Sequence, residues 1–329
     1  MNARRLFRRA LDVLAVALGV LAFVYLVQVG RQAGEAKTAP SAKAATTKVP
    51  NPNAAKATKP SKGVPTIRIG WTAWSDAELV TRLARRVLED RMGYHVRLVM
   101  ADIGVQYQGV ASGDLDAMLM AWLPVTHAAY WTKFSDSLVN LGPLYTRARL
   151  GWAVPSYVPK QQVASFDDLR DPEVERKLGG RIFGIDPGSG LMQASEQAMK
   201  AYGLDRLELV SSSGAAMTAA LERAIRQRRW IVVTAWSPHW MFARWDLRYL
   251  DDPKRVMGGR ERVHALVRRG FYQDFPSEVT EMLTRMYLPI DELEQALLYS
   301  TQHSVDEAVD RYLHEHARRI DYWVTGDVE

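Results

Sequence analysis

The chain contains no cysteine. Disulfides, Cys-ligated zinc and thiol catalysis are therefore excluded, and the redox compartment leaves no mark in the composition. Acidic residues are scarce in one region only. Residues 1–64 hold Asp12 and Glu35 against eleven Lys and Arg, which leaves 32 basic and 35 acidic residues for 65–329. The +6 formal charge of the whole chain thus belongs to its first segment. The remainder is mildly acidic, which argues against a nucleic-acid partner. Aromatic residues are absent from 31–64, and large aliphatic ones nearly so. Such a stretch cannot bury enough apolar surface to fold.

One long hydrophobic run is present. Residues 11–30 read LDVLAVALGVLAFVYLVQVG, with Asp12 as the only charge. About twenty apolar residues at roughly 1.5 Å each match a bilayer core. Arg4, Arg5, Arg8 and Arg9 precede the run, so residues 1–10 are expected on the cytoplasmic side and 11–30 as a transmembrane anchor. The alternative is a cleaved signal peptide, whose apolar region is shorter than this one and whose cleavage site would be Gly34-Glu35-Ala36. Under either reading the chain beyond residue 36 is exported. Residues 31–64, with Pro40, Pro50, Pro52 and Pro60 among Ala, Lys, Thr and Ser, read as a disordered linker.

From residue 65 the pattern becomes that of strands alternating with helices. Thr66 to Trp71 alternates as a strand, and Leu79, Val80, Leu83, Val87 and Leu88 recur at helical spacing before Gly93. Further strands are expected at Tyr94–Met100 and Asp116–Trp122, with a short helix over Val105–Ser112 between them. The pattern restarts with strands at Arg181–Ile185, Leu207–Val210 and Trp230–Trp236, and helices at Leu191–Tyr202 and Ala215–Arg228. Residues 277–320 read as helical. The alternation predicts an α/β fold of parallel sheets in two lobes, with a ligand cleft beyond the carboxyl ends of the strands.

Ten tryptophans are present, and their positions carry more information than their number. Trp74 lies just past the first strand, Trp122 ends the third, and Trp236 ends a strand of the second lobe. A single tryptophan is most often a core residue. Three at strand ends in both lobes suit a different use, because indole faces attract a quaternary ammonium by roughly 0.5–2 kcal/mol each when desolvated. An opposite pole is also available. Asp186-Pro187-Gly188-Ser189-Gly190-Leu191 puts a Gly-rich turn at a helix start, where backbone N–H groups favour an anion. His127, five residues after Trp122, can donate to the same anion. Enzyme readings are weaker. Ser189 lacks a Gly-x-Ser-x-Gly elbow, and His314 and His316 are two apart, on different faces of a helix. No cofactor or metal is implied.

The segments Ala73-Trp74-Ser75-Asp76, Ala121-Trp122-Leu123-Pro124-Val125-Thr126-His127, Asp186-Pro187-Gly188-Ser189-Gly190-Leu191-Met192, Ser211-Ser212-Ser213-Gly214-Ala215-Ala216-Met217 and Thr234-Ala235-Trp236-Ser237-Pro238-His239-Trp240-Met241-Phe242 resemble the glycine betaine/proline betaine substrate-binding proteins of ABC importers, over roughly residues 66–325. The resemblance implies a two-lobed periplasmic-binding-protein fold of type II, closing by a hinge near residues 151–155 and 246–252. One lobe would comprise residues 65–152 plus 248–326 and the other 153–247. It implies a tryptophan prism of Trp74, Trp122 and Trp236 around a trimethylammonium group. The carboxylate would be held by the N–H groups of Gly190 and Leu191 and by His127. Trp71 and Trp240 would be packing residues. The implied partners are a small quaternary ammonium ligand, a permease with its ATPase, and the membrane through the N-terminal helix, at the periplasmic face of the inner membrane. Choline, carnitine and dimethylsulfoniopropionate are alternative ligands, and a membrane-tethered sensor is an alternative role.

Overall fold

A computed structural model describes residues 65–328. The expected anchor at 11–30, the basic segment before it and the linker at 31–64 lie outside the described residues. Among the described residues, no helix is long and apolar enough to cross a membrane.

Among the described residues the strands are β1 (Thr66–Trp71), β2 (His95–Met100), β3 (Ala117–Leu123), β4 (Leu138–Pro155), β5 (Arg181–Phe183), β6 (Glu208–Val210), β7 (Val232–Ser237), β8 (Leu247–Tyr249) and β9 (Arg260–Arg268). They lie in the order β2-β1-β3-β9-β4-β7-β5-β6, with β8 on β4. Two parallel groups, β2-β1-β3 and β6-β5-β7, therefore flank an antiparallel centre. The centre is β9 paired with β3 and β4, and β4 paired with β7. These antiparallel pairings correct the expectation of purely parallel sheets. The long strand β4 joins the two groups. Residues 138–149 pair with β9, 149–153 with β7 and 153–155 with β8.

Neither β4 nor β9 is evident from periodicity. Gly142, Pro143, Gly151 and Pro155 punctuate β4, and such residues ordinarily mark turns. The strand absorbs them through register shifts against β9 at Asn140/Gly142, Pro143/Tyr145 and Tyr145/Ala148. The sequence of β9, RERVHALVR, alternates, but its inward-facing set begins with the charged Glu261, which is buried.

Helices cover the sheet: α1 (Ser75–Arg86), α2 (Ile103–Ser112), α3 (Ala128–Phe134), α4 (Pro172–Lys177), α5 (Gly190–Ala201), α6 (Gly214–Arg226), α7 (Met241–Arg244), α8 (Phe271–Asp274), α9 (Ser277–Arg285), α10 (Ile290–Gln302), α11 (Val305–Glu315) and α12 (Ala317–Thr325). Helix α1 buries Leu79, Val80, Leu83 and Ala84 along one stripe and continues through a π turn at Val87–Arg91. The C-terminal helices pack on this side. Val309, Tyr312, Ile320 and Trp323 are buried, whereas the surface pairs Arg82–Asp306 and Arg86–Asp310 add roughly 0–1 kcal/mol each.

The ends of the first parallel group differ in chemistry. At the start of β3, the buried Asp116 is bonded by Arg68 of β1 (Nη2–Oδ1 2.8 Å, Nε–Oδ2 2.9 Å) and by Arg268 of β9 (Nε–Oδ1 2.8 Å). At the carboxyl ends of the strands, Trp74 follows β1 and Trp122 lies near the end of β3.

Candidate functional site

Four strand ends converge on one small cavity. Its lining comes from Trp74 after β1, Trp122 near the end of β3, Trp236 near the end of β7, and Ile185 to Leu191 after β5, with Leu150 of β4 beneath. All six residues singled out in the sequence line it: Trp74, Trp122, His127, Gly190, Leu191 and Trp236. Thr126, Leu150, Ile185 and Ser189 complete the wall without having been expected. Trp71 and Trp240 are not part of it. Trp240 instead packs on His239 and Trp245, with ring centroids 5.1 and 5.4 Å apart.

The three indoles are almost wholly buried, and two of them are held by their edges. Trp74 Nε1–H donates to Asp186 Oδ1 at 2.9 Å, and Trp236 Nε1–H donates to Asp76 Oδ1 at 2.9 Å. Asp76 is fully buried in the first turn of α1, and its second oxygen accepts from Tyr145 Oη at 2.6 Å. Burial pushes the Asp76 carboxyl above its ordinary pKa, and the bonds from Tyr145 and Trp236 only partly offset that. With their N–H edges engaged, Trp74 and Trp236 line the cavity without a free donor, which suits a cation with no N–H of its own.

The other pole is built from amides and one imidazole. Ser189 caps helix α5, accepting from the Met192 N–H at 3.2 Å and donating to the Asp186 carbonyl at 2.8 Å. The capping bonds engage both the donor and an acceptor site of the Ser189 hydroxyl. Gly190 and Leu191 open the helix, where the first N–H groups have no intrahelical acceptor. A side chain at Gly190 would come within 2.5 Å of Thr126 and 3.2 Å of the His127 ring, so only glycine permits the approach.

His127 is buried, and its Nδ1 accepts the Trp122 backbone N–H at 3.1 Å. An accepting Nδ1 fixes the neutral ring with its proton on Nε2, available to an anion. Desolvation lowers its pKa to about 3, so the ring stays neutral across ordinary pH. The loop that carries it is anchored by the buried Glu261, which accepts from the Thr126 N–H at 3.1 Å and the Thr126 hydroxyl at 3.2 Å. His239 repeats the arrangement after β7. Its Nδ1 accepts the Met241 N–H at 3.0 Å, burial lowers its pKa to about 3, and its ring meets Trp236 edge-on at 4.3 Å.

Asp76, Asp186, Tyr145 and Glu261 were not expected at the site. Asp76 and Asp186 stand inside the motif segments, but their partners are 160 and 112 residues away, and spacing along the chain carries no sign of that. The His314 and His316 pair lies at the far end of α11. There His316 Nε2 is 3.5 Å from Glu292, and among the described residues no three His, Asp or Glu side chains group to hold a metal ion.

Two parallel α/β groups joined by a long strand, with a small cavity at their strand ends, define a two-lobed solute-binding protein of the periplasmic type. The chain belongs to the family described as the substrate binding domain of ABC-type glycine betaine transport systems, whose model matches residues 65–315. Among curated relatives, the glycine betaine/carnitine transport binding protein GbuC of Listeria monocytogenes is 36% identical over 168 residues. That alignment spans 50% of this chain and 55% of the relative. Among solved structures, lactococcal OpuAC in its closed-liganded conformation with glycine betaine superposes with a TM-score of 0.72 at 34% identity, covering 79% of this chain and 99% of the other. The glycine/betaine/L-proline-binding protein ProX of Borrelia burgdorferi gives a TM-score of 0.74 at 31% identity, covering 79% and 97%.

Proposed function

We propose that the chain is the substrate-binding component of an ABC importer for glycine betaine or proline betaine, and that it performs no chemistry on its ligand. The observation that carries this reading is the joint lining of one small cavity by three indoles together with His127, Gly190 and Leu191. A trimethylammonium group lies against Trp74, Trp122 and Trp236. The ligand carboxylate accepts from the N–H groups of Gly190 and Leu191 and from His127 Nε2. Cation–π attraction suits a methylated cation because it brings no N–H groups to be left unsatisfied. The ammonium of glycine does bring them and is held poorly. Each lobe supplies part of the site, so the ligand favours the closed form, which a permease with its ATPase then receives.

In the same reading, residues 11–30 anchor the protein at the periplasmic face of the inner membrane, and residues 31–64 form a tether on the order of 30 Å long. A second ligand, carnitine, is favoured by the name of the Listeria relative. It too has a trimethylammonium group and a carboxylate. Choline has no carboxylate to meet Gly190, Leu191 and His127.

Calorimetry with glycine betaine, proline betaine, carnitine, choline and glycine tests the assignment. The expected order places the betaines first and glycine last. Trp122→Ala and Trp236→Ala each weaken betaine binding at least tenfold while the far-UV spectrum stays that of the parent. Near-parental affinity in both variants removes the cage. Saturation at 100 times Kd raises stability by roughly 2.7 kcal/mol, visible as a higher Tm.

A further inference from the structure

The two indole–carboxylate bonds cross the cleft in opposite directions. Trp74 follows β1 in the first strand group, and its acceptor Asp186 follows β5 in the second. Trp236 ends β7 in the second group, and its acceptor Asp76 opens α1 in the first. Each lobe thus contributes one ring and one carboxylate, and each ring is fixed by the opposite lobe. The second oxygen of Asp186 is buried without a partner, so Trp74 supplies the hydrogen bond that holds this carboxylate. Tyr130 adds a third cross-cleft bond from its hydroxyl to the Gly188 carbonyl at 2.9 Å.

We propose that the crossed pairs Trp74–Asp186 and Trp236–Asp76 are a reciprocal latch, in which the bonds that close the lobes are the same bonds that orient the walls of the cage. Separation of the lobes by a few ångströms breaks both, frees both rings to rotate and strands two carboxylates in the cleft. Closure restores both together. A hydrogen bond from an indole N–H to a carboxylate also pushes electron density onto the ring, so the latched rings hold a cation more strongly than unlatched ones. Asp76 and Asp186 are positioning residues in this scheme. They act on the ligand through the rings, and the ligand identity rests on the proposed function.

The absence of cysteine makes the test clean. Gln108 of α2 and Gln197 of α5 are exposed, one on each lobe, so a Gln108→Cys/Gln197→Cys pair in the full chain accepts a donor and an acceptor dye. Energy transfer then reports the closed fraction, and calorimetry on the same protein reports affinity for glycine betaine. Asp186→Ala is expected to lower the closed fraction at saturating betaine and to raise Kd at least tenfold. Trp74→Phe keeps a ring face but has no N–H, and it should give a similar loss. Asp186→Ala added to Trp74→Phe should then change Kd by less than twofold, because the bond is already gone. Effects that multiply in the double variant, or a closed fraction equal to the parent's in Asp186→Ala, overturn the latch. Asp76→Ala removes the acceptor of the Trp236 N–H, is the second arm and should behave likewise. Should the parent itself show no closure with betaine, the ligand reading fails on its own. The latch is then judged by the ligand-free closed fraction, which must drop in Asp186→Ala, and an unchanged fraction refutes it.

Discussion

Asp116 and Asp76 are both buried carboxylates of the first lobe, at opposite ends of the same strand group, and their surroundings shift their pKa values in opposite directions. Asp116 faces two guanidinium groups, Arg68 and Arg268, and the backbone N–H of Arg68. Burial alone would raise its pKa, but those hydrogen bonds outweigh it and hold the group below its ordinary value. Asp76 has only neutral donors, a phenol, an indole and the backbone N–H groups of Asp76 and Ala77, and burial wins. A cation beside a buried carboxylate makes a structural clamp that needs nothing else. A carboxylate given only neutral donors has no counter-charge beside it, and burial disfavours its ionised form. The difference separates the clamped end of the strand group from the end that borders the cavity.

The largest expected effect breaks the clamp. Asp116→Ala leaves Arg68 and Arg268 facing a site that was built for their counter-charge. Removal of one member of a buried ion pair costs about 3–5 kcal/mol. Arg68 is more than a third exposed, which puts the expected loss at the lower end of that range. Urea unfolding followed by fluorescence measures it, and betaine affinity of the protein that remains folded should equal the parent's. A loss under about 1 kcal/mol would mean that the two guanidiniums are as well solvated as surface groups.

A smaller effect is expected on the cleft side. Tyr145→Phe keeps the ring and removes the hydroxyl that bonds Asp76 at 2.6 Å. Hydrogen bonds to a charged group are worth roughly 1.5–3 kcal/mol. Thermal unfolding should register a loss of that order, and affinity should fall several-fold because Asp76 is less well placed to accept from Trp236. If stability falls and affinity does not, Tyr145 supports the fold alone and the contrast between the two carboxylates loses its functional half.

How much of the site and fold was open to reading in the chain depends on the length scale of each interaction. The six cavity residues were legible because each sits at a strand end or helix start, and a strand end points into the cleft of an α/β fold. Trp122 and His127 declare themselves further by being five residues apart on one turn, close enough for the imidazole to accept the Trp122 N–H. The parallel groups were legible for the same local reason. The antiparallel centre was not. β4 carries two glycines and two prolines and holds its register only because β9 lies against it, and β9 hides its alternation behind Arg260, Glu261 and Arg262. Asp76 and Asp186 failed to register for a related reason. A carboxylate near a helix start reads as a cap, and only the folded chain brings each one to an indole of the other lobe.

The contrast between the two carboxylates sharpens into a question of sign under acid. Asp116 has a folded pKa below the unfolded value of 3.8, so its contribution is present above that value and is lost as pH falls through the lower folded pKa. Asp76 has a folded pKa raised above 3.8, so its contribution is fully present below 3.8 and is lost as pH rises through the raised value. His127 and His239 overlie both. Their folded pKa of about 3, against 6.5 ordinarily, makes stability highest above pH 6.5 and lower as the pH falls toward 3. The parent should therefore lose Tm steadily from pH 7 to pH 4, and His127→Gln should flatten part of that slope. Subtracting each Asp→Asn variant from the parent isolates the carboxylates. The difference for Asp116→Asn should shrink as pH drops below 3.8, whereas that for Asp76→Asn should grow more favourable to the parent as pH drops toward 3.8 from above and then level off. Parallel difference curves would mean that the two sites share one electrostatic environment. Betaine affinity gives the smallest effect of all, since a neutral His127 donates unchanged and Kd should vary less than twofold between pH 6 and 8. A tenfold gain in affinity on acidification through that range would require an imidazolium at the anion pole, which the burial of His127 forbids.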